Sequence, residues 1–180
     1  MYPFIRLAYQ FWLVRKSELK DPKATHVSRH RCWPWDIDMF GELNNGRTLT
    51  LYDLGRLPMG AQLGLMESLK RNRWGLTMAG VTVRYRRRIK TLEKFSMKSR
   101  FMGWDEKFVY LEQSMWKQNG ECAGHAMYRS AVTDKDGIVS PERVISDLGL
   151  TDVENTIPDW VQNWIDADST RPWPPMTDDA

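Results

Sequence analysis

Little in this chain would support metal or disulfide chemistry. Its 180 residues hold two cysteines, Cys32 and Cys122, and three histidines. Neither set has the clustered spacing of a zinc site or of a disulfide framework. Both cysteines read as reduced, small apolar residues of a cytoplasmic protein. There is no G-x-S-x-G turn, and the histidines form no recognisable triad with a serine, so no serine nucleophile is visible. No uncharged apolar run approaches the roughly 20 residues that cross a bilayer. Arg6 interrupts the apolar start, and no small-residue cleavage site follows, which argues against a signal peptide. The net charge of +3 does not by itself mark a nucleic-acid binder.

What is present fits one buried domain with appendages. Hydrophobic residues make up 42% and charged residues 27%, the balance of a globular protein. Tryptophan is abundant, with nine residues, of which Trp12, Trp33, Trp35, Trp160, Trp164 and Trp173 lie outside the central region. That distribution predicts terminal segments that dock through large aromatic surfaces.

The first 16 residues, M-Y-P-F-I-R-L-A-Y-Q-F-W-L-V-R-K, put Phe4, Leu7, Ala8 and Phe11 at helical spacing. A helix or arm packed on the domain is the default. The alternative is a weak contact with a membrane surface, with Arg6, Arg15 and Lys16 near headgroups. A polar linker with Pro22 follows. His26 to Trp33 alternates, with His26, Ser28, His30 and Cys32 on one face, and reads as a strand ended by Pro34.

Next comes the stretch with the most chemistry, W-P-W-D-I-D-M-F-G-E-L-N-N-G-R. Asp36 and Asp38 precede Gly41 and Asn44-Asn45, and a helix starts at the asparagines. A carboxylate there meets unpaired amides and the positive end of a helix dipole. Turn-forming aspartates and capping asparagines remain the structural alternative. A calcium loop fits poorly, because Phe40 takes the third ligand position and Arg47 the twelfth.

The helix carries Leu51, Leu54, Leu57, Ala61 and Leu65 at spacings of three and four. Leu49, Tyr52 and Met59 widen its apolar surface, as in a helix buried against a sheet. Pro58 is expected to kink or divide it. A short helical piece over about Leu65 to Lys70 follows. Then the period changes to two. Strands are expected over Leu76 to Ile89, with a bulge at Gly80, and over Phe95 to Trp104, Phe108 to Trp116 and Glu121 to Thr133. Ser140-Pro141 opens a further helix, and Asp159 to Ile165 another. The pattern predicts an α+β domain, a long central helix wrapped by a curved antiparallel sheet of about five strands, plus terminal helices. The division is 1–25 for the arm and linker, 26–139 for the domain and 140–180 for a C-terminal helical extension.

D-I-D-M-F-G-E-L-N-N-G after a strand, then a helix and four strands, resembles the hotdog-fold acyl-CoA thioesterases of the 4-hydroxybenzoyl-CoA thioesterase type. Their usual pattern is D-x-D-x-x-G-H-x-N-N-x-x-Y. The likeness runs from Val27 to Thr133, and W-G-L-T-M-A-G-V-T-V-R-Y-R-R-R-I resembles the strand after the family's helix. Glu42 stands where many members have His, and Gly46-Arg47-Thr48-Leu49 replaces the usual ending.

The resemblance implies a thioester hydrolase with Asp38 as general base or nucleophile. Asn44 or Asn45 would orient the carboxylate or water, and amides near Gly41 and the helix start would hold the oxyanion. The substrate would be acyl-CoA, in a homodimer or homotetramer, with no cofactor and no metal. The partner's long strand, around Met78 and Val81, would complete the pocket. Arg86, Arg87 and Arg88 belong to a basic run that reads as a solvated strand end, a coenzyme A phosphate site or, least well, a nucleic-acid contact. A non-catalytic hotdog protein that binds an acyl thioester or a lipid-like ligand is the alternative, and a dehydratase on the same fold a third reading.

Overall fold

The computed structural model describes residues 1–175. It opens with α1 (Phe4–Val14) and β1 (His26–Arg31), then a single 3-10 turn over Pro34–Asp36. The long helix α2 (Asn45–Gln62) and the shorter α3 (Leu65–Asn72) follow. Four long strands come next, β2 (Gly75–Tyr85), β3 (Lys94–Trp104), β4 (Val109–Lys117) and β5 (Cys122–Asp134), then the short β6 (Gly137–Val139). Helices α4 (Pro141–Asp147) and α5 (Asp159–Ser169) end the described chain. The last part of the expected C-terminal extension, 176–180, lies outside the described residues.

The sheet is antiparallel, in the order β1-β3-β4-β5-β2, with β6 paired to the end of β5. It curls around α2 as a half-barrel, which is the hotdog architecture. In β1 every second residue is buried, so His26, Ser28 and His30 face inward as the alternation predicts. Leu51, Tyr52, Leu54 and Met59 of α2 are almost fully buried. Each such side chain contributes about 1.5–3 kcal/mol on transfer from water. Helix and sheet approach closely at Gly55, where an added Cβ would lie 2.6 Å from Met97 Sδ and 2.7 Å from Ser99 Oγ. Gln113, fully buried on β4, donates to the Tyr52 carbonyl at 2.9 Å and to Ser99 Oγ at 2.7 Å, stitching helix to sheet.

Two local expectations need correction. Pro58 does not divide the helix, because α2 runs on to Gln62 with Pro58 buried inside it. The break falls at Gly64, whose left-handed backbone (φ +78°) suits glycine. The strand expected to reach Ile89 stops at Tyr85, since the amides of Arg86 and Arg87 both turn to the Ala123 carbonyl. The bulge lies between Met78 and Gly80, as the glycine suggested.

Helix α1 packs along α2, and the Tyr2 hydroxyl donates to Asp53 of α2 at 2.9 Å. Burial, then that carboxylate, push the Tyr2 pKa up to about 12. Helix α5 covers the sheet elsewhere, burying Val161 with Met102, Tyr110 and Met127. Trp164 packs in that cluster, whereas Trp12 of α1 faces outward, 54% exposed, with Tyr9 and Arg15 against its ring. No described helix is long and apolar enough to cross a membrane. Strand β2 lies at the sheet edge, with Leu76 and Met78 partly exposed along it.

Candidate active site

The two aspartates of the turn have separate environments. Asp36 is fully buried. Its carboxylate accepts from Arg6 Nη1 of α1 and from Arg47 Nε of α2, both at 2.7 Å, and from the Trp33 amide at 3.0 Å. The Asp36 carbonyl accepts from the Asn44 amide at 3.0 Å. One side chain therefore fastens α1, the 3-10 turn and the first turn of α2 together. It has no place for a substrate. The expected headgroup role of Arg6 is corrected by the same contact, since Arg6 points into the protein.

Asp38 is only partly buried and sits at a wider opening. Its backbone makes a tight turn in which the Gly41 amide donates to the Asp38 carbonyl at 3.1 Å. Gly41 has φ +74°, a left-handed backbone that favours glycine. Asp38 Oδ1 accepts from the Phe40 amide at 2.9 Å. The bridge between Ile37 and Leu43 closes the base of this loop.

Asp38, Glu42 and Asn45 line one side of an open cavity of about 390 Å³. Tyr85, Arg86, Arg87 and Arg88 line another side, and Ile89, Met115 and Ala123 contribute apolar surface. The Tyr85 hydroxyl donates to the Asn45 carbonyl at 3.1 Å, which ties the end of β2 to the start of α2.

The charges around the cavity are largely matched. Arg88 Nε lies 2.8 Å from Glu42 Oε2, and Arg87 Nε donates to Glu121 at 3.0 Å. Arg86 has no carboxylate partner among the described residues, which leaves its guanidinium for an anion from outside.

The asparagines divide their work. Asn44 caps α2, its side chain accepting from the Arg47 amide at 2.9 Å, and Thr48 Oγ1 donates to its carbonyl at 3.0 Å. Asn45 lines the cavity, with its side chain accepting from the Gly46 amide at 2.7 Å. Gly41 does not line the cavity, and its amide is already used by the Asp38 carbonyl. Of the amides expected near Gly41 and the helix start, that of Gly41 is therefore already occupied. Of the first amides of α2, that of Asn45 alone has no acceptor among the described residues. Met78 and Val81 stand away from this cavity within the chain. Met78 borders a small apolar space of about 80 Å³ beneath the C-terminal half of α2, and Val81 packs against the core.

Four further titratable groups lie within the sheet or just after β1. His125 and Glu112 are 2.8 Å apart across β5 and β4. That hydrogen bond, aided by Arg100, lowers the Glu112 pKa despite its partial burial. His30 contacts Ser28 Oγ at 2.7 Å, and burial drives its pKa down to about 3. Cys32 is buried, which with the nearby Asp36 charge raises its thiol to about 11.

A long helix wrapped by a curled antiparallel sheet defines the hotdog class. The chain belongs to the thioesterase-like superfamily, whose model matches residues 32–165. It is 30% identical over 149 residues to Protein THEM6 of Xenopus laevis, covering 82% of this chain and 70% of that protein. It is 29% identical over 152 residues to Protein THEM6 of Danio rerio, covering 83% and 73%. Among solved structures, a probable thioesterase YbaW of Escherichia coli superposes with a TM-score of 0.61, covering 70% of this chain and 98% of that one. At 14% identity that likeness is one of fold.

Proposed function

We propose that this protein hydrolyses acyl-CoA thioesters, with Asp38 as the catalytic carboxylate. The observation that carries the reading is the cavity of about 390 Å³ that joins Asp38, the start of α2 and the unpaired Arg86. In the general-base form, Asp38 takes a proton from water as the water oxygen attacks the thioester carbonyl carbon. The carbonyl oxygen gains negative charge, and the Asn45 amide at the positive end of α2 is the donor suited to hold it. The C–S bond then breaks, the acid leaves as one product, and the CoA sulfur takes up a proton. In the nucleophilic form Asp38 attacks the carbonyl itself and water cleaves the resulting anhydride. Asn45, rather than the capping Asn44, is the asparagine suited to orient water. Arg86, with Arg87 and Arg88 beside it, suits the phosphates of coenzyme A.

A homodimer fits this reading. The β2 edge carries unpaired backbone groups and the partly exposed Leu76 and Met78, which a second copy would cover. Met78 and Val81 of that second copy would then approach the pocket, as the family resemblance implies. The two free thiols fit a cytoplasmic setting.

One observation favours a second reading, a hotdog protein that binds an acyl thioester without hydrolysing it. Glu42 occupies the place of the family's His and is held by Arg88 at 2.8 Å. Steady-state hydrolysis of an acyl-CoA panel, with Asp38→Asn as control, separates the two. Turnover of at least one chain length, abolished by Asp38→Asn, supports hydrolysis. Equally poor turnover of every substrate by both proteins, with binding retained, supports the second reading.

A further inference from the structure

We infer that the outward face of α1, together with the Trp33–Trp35 turn and the tip of the Asp38 loop, docks on an anionic lipid surface. Helix α1 is apolar on both sides, Leu7 packing on the core, which is unusual for a helix at the surface. Its polar residues point inward, Gln10 buried and Arg6 held by Asp36. Its outward positions are Phe4, Ile5, Ala8, Tyr9, Trp12 and Leu13, all apolar or aromatic. Ile5 is 88% exposed and Phe4 70%. The helix contains no Asp or Glu.

This face continues beyond the helix. Ile5 and Tyr9 share an open groove of about 740 Å³ with Trp33, whose ring stacks on Trp35 at 5.4 Å. Because Arg6 and Trp33 both bind Asp36, the helix and the Trp turn are held as one rigid surface. Past the turn, Met39 and Phe40 stand out at 89% and 75% exposure. An apolar surface this extended marks a binding face rather than ordinary scatter.

The charges name the occupant. The groove is bordered by Arg29, Arg31 and Lys94 and, among the described residues, by no carboxylate. Arg31 lies over the Trp33 ring at 5.6 Å, and Arg15 over the Trp12 ring at 4.3 Å. Lys16 follows Arg15 at the helix end. Aromatic rings beside cations, around a set of exposed aliphatic chains, match the headgroup region of an anionic leaflet. A second copy placed face to face would oppose the same cations to themselves. Phe40 also lines the cavity of Asp38, so a lipid surface at this face would lie beside the cavity mouth. The docking itself does not depend on hydrolysis.

The test is co-sedimentation of the full chain with vesicles of phosphatidylcholine alone or of an equal mixture with phosphatidylglycerol. The variants are Ile5→Glu/Trp12→Glu on the helix and Arg29→Glu/Arg31→Glu off it, each checked for folding by circular dichroism. We expect the wild type to pellet with the mixed vesicles, and its partitioning to fall at least about tenfold with neutral vesicles or with either variant. Sedimentation velocity should give the same oligomeric state for wild type and variants. Equal partitioning of wild type and variants on mixed vesicles would overturn the inference. So would a loss of self-association in Ile5→Glu/Trp12→Glu without any vesicle binding by the wild type, which would assign the face to a second copy.

Discussion

Replacing Asp36 by Asn removes one charge and almost no volume, and the structure sets the size of the loss. Asp36 has no solvent exposure, and its two partners, Arg6 and Arg47, have side chains 19% and 15% exposed. A unit-charge pair about 4 Å apart interacts by about 4 kcal/mol at an effective dielectric constant near 20. Removing one partner of a buried pair typically costs about 3–5 kcal/mol, because the other charge stays behind unmatched. Here two guanidiniums lose their counter-charge, but each keeps some water, and the Asn carbonyl still accepts one hydrogen bond. These offsets put the loss near the lower end, about 3 kcal/mol. For a chain of this size that lowers Tm by about 6–12 °C. Urea unfolding followed by circular dichroism measures it, as a lower midpoint with unchanged slope. Hydrogen exchange should rise first in α1, whose attachment runs through Arg6. A loss below about 1 kcal/mol would refute the view that Asp36 fastens the two helices.

Three further outcomes follow from named contacts. Gly55→Ala gains about 1 kcal/mol of helix propensity but drives a Cβ against Met97 and Ser99, so a net loss of about 1 kcal/mol is expected in the same urea assay. His30 stays neutral in the fold down to about 3, so below its unfolded pKa near 6.5 the unfolded chain binds the proton first and stability falls with pH. His30 alone should cost about 2 kcal/mol between pH 7 and pH 5, and His30→Gln should flatten that slope. Arg86→Ala should raise KM for acyl-CoA about tenfold while leaving turnover of the matching acyl-pantetheine, which lacks the nucleotide phosphates, unchanged. An equal effect on both substrates would remove Arg86 from phosphate binding.

Much of the fold was legible because its signals are local. Alternation marked β1, β2 and β4, turns bounded β3 and β5, and Asn-Asn before a broad apolar stripe marked the start of α2. The contacts that set the roles of individual residues are not local. Asp36 looks like any turn aspartate until Arg6, 30 residues away, folds onto it. An arginine inside an otherwise apolar run was the available clue, since such a charge needs a buried partner. The cap role of Asn44 and the cavity position of Asn45 depend on one residue of helix register, which composition does not reveal. Arg86 to Ile89 kept a strand-like pattern, yet the chain leaves the sheet there because two successive amides share the Ala123 carbonyl. The outward apolar face of α1 was hidden by a periodicity that suits either side of the helix. The contact of Arg6, the burial of Gln10 and the packing of Leu7 settle which side is inward.

The central claim is that Asp38 does chemistry while Asp36 holds structure. Single-turnover hydrolysis of an acyl-CoA by wild type and Asp38→Asn, with urea unfolding of both, tests it most directly. The substitution keeps an oxygen to accept from the Phe40 amide, so stability should stay within about 0.5 kcal/mol of wild type. The rate should fall by about a hundredfold or more. An unchanged rate in a protein of unchanged stability would contradict the account.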